Sequence, residues 1–113
     1  MSKQHLITKE KIYAAQPAIT SELQKRYGES PAKMAAAEKA RFYANEYLFN
    51  RPIGMNSNFR MADLQVQMRD YVHKRFEEDE SKGFLFGGEL LIGWVLAGLV
   101  SWVVRKILDK LFD

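Results

Sequence analysis

Side-chain chemistry needs acids, bases, nucleophiles or metal ligands held at fixed spacings, and this chain offers few. His5 and His73 are its only histidines and stand far apart in the sequence. No paired-histidine zinc motif is therefore encoded. Cysteine is absent, which removes thiolate metal sites, cysteine nucleophiles and disulfides. Glu46, Asp63 and Asp70 are carboxylates that acid–base chemistry could use, but none has a second group spaced to work with it. The acidic run Glu77, Glu78, Asp79, Glu80 lacks the alternating ligands, central glycine and closing Glu of a calcium loop. Phosphate-cradling glycine loops, dinucleotide fingerprints and nucleophile elbows are also missing. The reading is a non-enzyme with no catalytic residue, metal, cofactor or evident small-molecule substrate.

The polar residues that remain informative are those in an apolar setting. Residues 83–104 read GFLFGGELLIGWVLAGLVSWVV, in which Glu89 is the one charge, and Arg105 and Lys106 follow. A membrane-crossing helix needs about 20 mainly apolar residues for a hydrocarbon layer roughly 30 Å thick. At about 1.5 Å per residue, 84–104 spans roughly 31 Å, whereas the uncharged stretch 90–104 alone reaches only roughly 22 Å. The expectation is a single-pass helix that tolerates Glu89 near one end. Glu89, Gly93, Ala97, Ser101 and Arg105 recur every four residues, so they share one helix face. Gly93, Ala97 and Ser101 on that face would let another helix backbone approach closely. Membrane-interface anchors are expected at Phe84, Phe86, Trp102, Arg105, Lys106, Lys110 and Phe112, the last of them on a short amphipathic end.

Such an anchor must be carried by something, and the upstream sequence reads as helices. Thr8 caps a first short helix through Gln16, after which Pro17 opens a second that stops at Gly28; together they cover about 8–27 and can also be read as one kinked helix. Ser30-Pro31 opens a second, near 31–49, whose alanines supply helix propensity or permit close packing. A third, near 58–76, carries Met61, Leu64, Met68, Tyr71, Val72 and Phe76 as an apolar seam, predicting a helical hairpin with 31–49. Residues 77–83 read as an acidic linker to the C-terminal helix, 84–112. The aromatics Phe42, Tyr43, Tyr47 and Phe49, with Ile53 and Met55 of the loop 50–58, are candidates for docking a partner.

Composition narrows the class further. The net charge is +3, but basic residues alternate with acids and form no nucleic-acid signature. The N-terminal sequence lacks the apolar core of a secretory signal, which puts the upstream region on the cytoplasmic side. Residues 1–76 are thus expected to form an all-α region of short helices and a hairpin, followed by one long transmembrane helix. The function that fits is a non-catalytic structural or assembly subunit, either an accessory subunit of a larger membrane complex or a virion-type membrane-associated protein. Self-association is the other partner expected besides the bilayer. Two alternatives differ in what the apolar helix does: a holin-like pore oligomer, or an interaction module that buries this helix in a partner.

Overall fold

A computed structural model describes residues 7–50, 61–81 and 93–112, and all of its regular structure there is α-helical. The helices are α1 (Lys9–Tyr27), α2 (Pro31–Phe49), α3 (Met61–Ser81) and α4 (Gly93–Leu111).

Local chemistry sets the boundaries. Thr8 accepts a hydrogen bond from the Lys11 amide at 3.1 Å, and Ser30 accepts one from the Lys33 amide at 3.3 Å. Each satisfies an amide that the first helical turn leaves without a partner. Pro31 follows Ser30 at the start of α2, where a missing amide hydrogen costs nothing. Gly28 caps the end of α1, its amide donating to the Gln24 carbonyl at 2.9 Å, and a Cβ there would lie 2.5 Å from that same oxygen. Pro17 lies inside α1 and does not divide it in two. Its cost, about 3 kcal/mol in a helix interior, is offset by burial of Ile12, Ala15, Ile19 and Leu23 along one face.

Both α2 and α4 pack against all three other helices, while α1 and α3 do not touch each other among the described residues. The bundle is therefore built on the α2–α4 contact, with α1 on one side and α3 on the other. The α2 side of this arrangement is a run of fully buried alanines, Ala36, Ala37, Ala40 and Ala44. Small residues bring helix axes close, and this lets one helix meet three neighbours. Of the two readings of these alanines, close packing is the one observed. From α3 come Leu64, Met68, Val72 and Phe76, with Met61 and Tyr71 packed at the edge, as the seam predicts.

The C-terminal helix departs from expectation. Its buried residues Leu99, Val100, Val103, Val104, Ile107, Leu108 and Leu111 form two adjacent columns facing the other helices. Gly98, Arg105 and Asp109 are exposed on the other side. From Ala97 onward α4 is thus amphipathic, and the chain itself covers its apolar face. Length suggested a span, but Arg105, Lys106, Asp109 and Lys110 fall in the second half of the helix. No helix among the described residues is long and apolar enough to cross a membrane. Residues 84–92, which would lengthen the apolar run, lie outside the described residues, with Phe84, Phe86 and Glu89. The acidic run differs too: α3 continues to Ser81, so Glu77 to Glu80 begin no linker but form its last turn.

The alanine ladder yields a direct test. Ala40→Leu should lower unfolding free energy by about 1–3 kcal/mol through overpacking, whereas Ala35→Leu, at an exposed position of the same helix, should stay within about 0.5 kcal/mol. Urea denaturation of both variants measures the contrast; equal effects would remove the ladder from the core.

Candidate functional site

The outward side of the α1–α2 hairpin brings together the exposed aromatic residues and a cleft. On α1 the stripe is Lys9, Tyr13, Gln16 and Thr20; on α2 it is Glu38, Phe42, Asn45 and Phe49. Each advances by four, three and four residues, which keeps its members on one helix face. Because the helices run antiparallel, the stripes meet in reverse order. The Tyr13 and Phe49 rings lie 5.6 Å apart, with the Lys9 ammonium 6.0 Å from the Phe49 ring centre. Asn45 Nδ2 donates to Gln16 Oε1 at 3.1 Å, and Gln16 Nε2 donates to the Ile12 carbonyl at 2.8 Å. Arg41 donates to Thr20 and to the Glu38 carboxylate.

Gln16, Thr20, Glu38, Arg41, Phe42 and Asn45 line an open cleft of about 440 Å³. Phe42 is 63% exposed beside it, and Tyr13 is 67% exposed near its end. Asn45 Oδ1 is buried with no hydrogen-bond partner among the described residues. Exposed aromatics beside an arginine and side-chain amides are the composition of a protein-docking surface. Among the described residues no three His, Asp or Glu side chains gather as metal ligands would.

The other docking candidates separate. Tyr43 turns inward and is buried, its ring 5.7 Å from Phe76. Tyr47 is half-buried, donates to Gln67 at 2.9 Å and lies 5.4 Å from the Tyr71 ring. Phe49 joins Phe42 on the outer face, and Ile53 and Met55 lie outside the described residues. On α4, Ala97 and Ser101 are half-buried and Arg105 is exposed, so the described part of the small-residue stripe lies off the intramolecular packing face. Trp102, half-buried, meets Tyr27 edge-on at 5.5 Å. Lys106, Lys110 and Phe112 are also half-buried.

Between α2 and α3 runs a polar seam that sequence reading did not anticipate. Tyr43 donates to Asp79, which also pairs with Lys39 at 3.0 Å. Tyr71 donates to Glu46 at 2.9 Å, and Arg75 bridges Glu46 at 3.7 Å and Glu78 at 3.1 Å. The signal lay in phenols, acids and bases at matching steps along two antiparallel helices. Asp63 and Asp70 are exposed, Asp70 within 3.4 Å of Arg69. His73 is half-buried on α3, its pKa lowered by burial and by Arg69, and His5 lies outside the described residues. Comparison with family models, curated proteins and solved structures gives no match.

The seam titrates in a defined sense. Burial, then the hydrogen bond to Asp79, push the Tyr43 hydroxyl up to about 12. Burial tends to raise Asp79, but the hydrogen bonds from Tyr43 and Lys39 outweigh it and hold the carboxyl below its ordinary value. An unfolded tyrosine ionises near pH 10. The Tyr43 contribution is thus complete below about pH 10 and fades as pH rises toward the folded value; that of Asp79 fades as pH falls below about 4. Tyr43→Phe should cost about 1–2 kcal/mol at pH 7, and the gap to wild type should narrow at pH 11. Tyr71, also shifted upward by burial and by Glu46, keeps part of the alkaline loss in the variant. A gap unchanged between the two pH values would exclude this linkage.

Proposed function

We propose that this chain is a non-catalytic structural or assembly subunit, a helical module that docks a larger partner through the outer face of α1 and α2. The observation that carries the reading is the exposure of Phe42 and Tyr13 beside the cleft. Large aromatics kept in water at the rim of a polar cleft suit a partner that buries them, and such anchors contribute most of an interface's energy. The α2–α3 seam and the packed core hold this face rigid, so binding orders little of it.

In this reading the apolar C-terminal helix serves as the module's own core. A second reading has residues 84–104 cross a bilayer as a single-pass tail anchor, the N-terminal region remaining in the cytoplasm; it draws on the length of that apolar run. It requires α4 to leave α1, α2 and α3, whose apolar faces would then meet water at about 1.5–3 kcal/mol for each large side chain uncovered. A pore-type oligomer, with Glu89, Ser101 and Arg105 around a polar path, carries the same requirement. The intramolecular core is therefore the reading favoured for α4.

Two measurements separate these outcomes. An alkaline carbonate wash of host membranes should release the full chain; retention, with a truncation at Lys82 staying soluble, would restore the spanning reading. In gradient sedimentation of host extract the full chain should travel with a larger assembly. Phe42→Glu should return it to its own mass, with thermal unfolding shifted by no more than about 0.5 kcal/mol. Unchanged migration of the variant would reject the α1–α2 face as the docking site.

A further inference from the structure

A second surface lies where the end of α1 meets α4. The Arg26 guanidinium carbon is 4.9 Å from the centre of the Trp102 ring, and the Lys106 ammonium is 5.6 Å from it. Tyr27 meets the same ring edge-on, and Arg26 Nε donates to the Tyr27 hydroxyl at 3.2 Å. Two cations therefore converge on one indole, which attracts them through the negative charge on its π face. Neither is in an ion pair among the described residues. The carboxylates within one turn are Glu22 and Glu29 on either side of Arg26 and Asp109 beyond Lys106, and none of them forms an ion pair with either cation among the described residues. Arg105 and Lys110 extend the positive charge along α4: Arg105 follows Trp102 by three residues, and Lys110 follows Lys106 by four.

We propose that this patch, Arg26 and Lys106 on Trp102 with Arg105 beside them, seats the protein on an anionic membrane surface through lipid phosphates. Cations assembled without a protein carboxylate leave their donors for an external anion. The indole, already engaged by two cations and by Tyr27, offers little to a stacked nucleic-acid base, which needs an open ring face. What remains is charge with an amphipathic aromatic among it, the combination that suits the headgroup layer. A laterally mobile layer of phosphates can follow such a patch without a shaped pocket. The contact is peripheral and independent of the α1–α2 face, so either can fail without the other.

The test is co-sedimentation of the full chain with vesicles of phosphatidylcholine alone and of phosphatidylcholine mixed with phosphatidylserine. Binding should favour the anionic vesicles and fall with added salt. Each cation near such a surface contributes about fivefold in partition, so Arg26→Gln with Lys106→Gln should lose about 25-fold. Lys74→Gln, an exposed cation on α3, should lose nothing. If the double variant fails to hold its helical circular dichroism, Arg105→Gln at an exposed position carries the test, with an expected loss of about fivefold. Equal partition into neutral and anionic vesicles overturns the proposal, as does an equal loss from Lys74→Gln. Tighter binding to a single-stranded oligonucleotide than to anionic vesicles also overturns it and reassigns the patch to nucleic acid.

Discussion

The contact between the alanines of α2 and the double apolar column of α4 is the constraint on which the bundle depends. A helix with side chains is about 10–12 Å across, and only a smooth flank lets another helix lie against it while leaving both able to meet two more. Ala36, Ala37, Ala40 and Ala44 provide that flank. Larger residues would push α4 outward and open gaps toward α1 and α3, with the loss of dispersion contacts that voids bring. No polar or charged side chain is buried among the described residues. The core is held by shape and apolar area, and the one hydroxyl in it, that of Tyr43, reaches outward to Asp79.

Polar specificity lies one layer out, between α2 and α3. An apolar seam fixes that two helices pack but constrains their sliding weakly. Tyr43 on Asp79, Tyr71 on Glu46 and Arg75 between Glu46 and Glu78 fix the register, because a one-turn slip would strand each half-buried charge. The same bonds anchor the acidic end of α3, which like-charge repulsion would otherwise fray. Lys39 and Arg75 neutralise Asp79 and Glu78 there. With core and register both settled internally, the outer residues of α1 and α2 answer to no packing demand, and the aromatic exposure of Phe42 and Tyr13 stands out against that background.

Much of this was legible in the sequence where local chemistry decides it. Thr8, and Ser30 followed by Pro31, mark helix starts through hydroxyl caps and a proline that lacks only a redundant donor. Leu64, Met68, Val72 and Phe76 reveal their helix by spacing alone. The rest depends on what a segment meets in space. Alanine carries almost no hydropathy signal, so α2 looks poor in core residues although its alanines are wholly buried. The acidic run looks like a linker until Tyr43 and Lys39 are seen opposite Asp79. Phe42 and Tyr43 are chain neighbours, but about 100° of helical rotation sends one to water and the other to the core. Aromatic content marked the segment, and only the packing of α1 and α3 on α2 could choose between them.

The C-terminal helix shows most clearly why apolar length alone cannot assign an environment. A window of hydropathy registers how much a helix avoids water and is silent on whether lipid or protein replaces it. Three features of this chain favour protein: alanines that permit close cover, a third helix able to close the far side, and charges at Arg105, Lys106, Asp109 and Lys110 that make the distal half two-sided. Once its apolar columns turn inward, α4 meets its surroundings through the residues left on its flanks, and these include Trp102 with its two cations. The chemistry that would have marked a membrane boundary on a spanning helix is then displayed sideways, at the junction with α1. Arg26 belongs to that junction only because the bundle closes. A surface assembled from both ends of the chain therefore exists in the folded module and vanishes if α4 departs, which ties any peripheral contact made there to the integrity of the core.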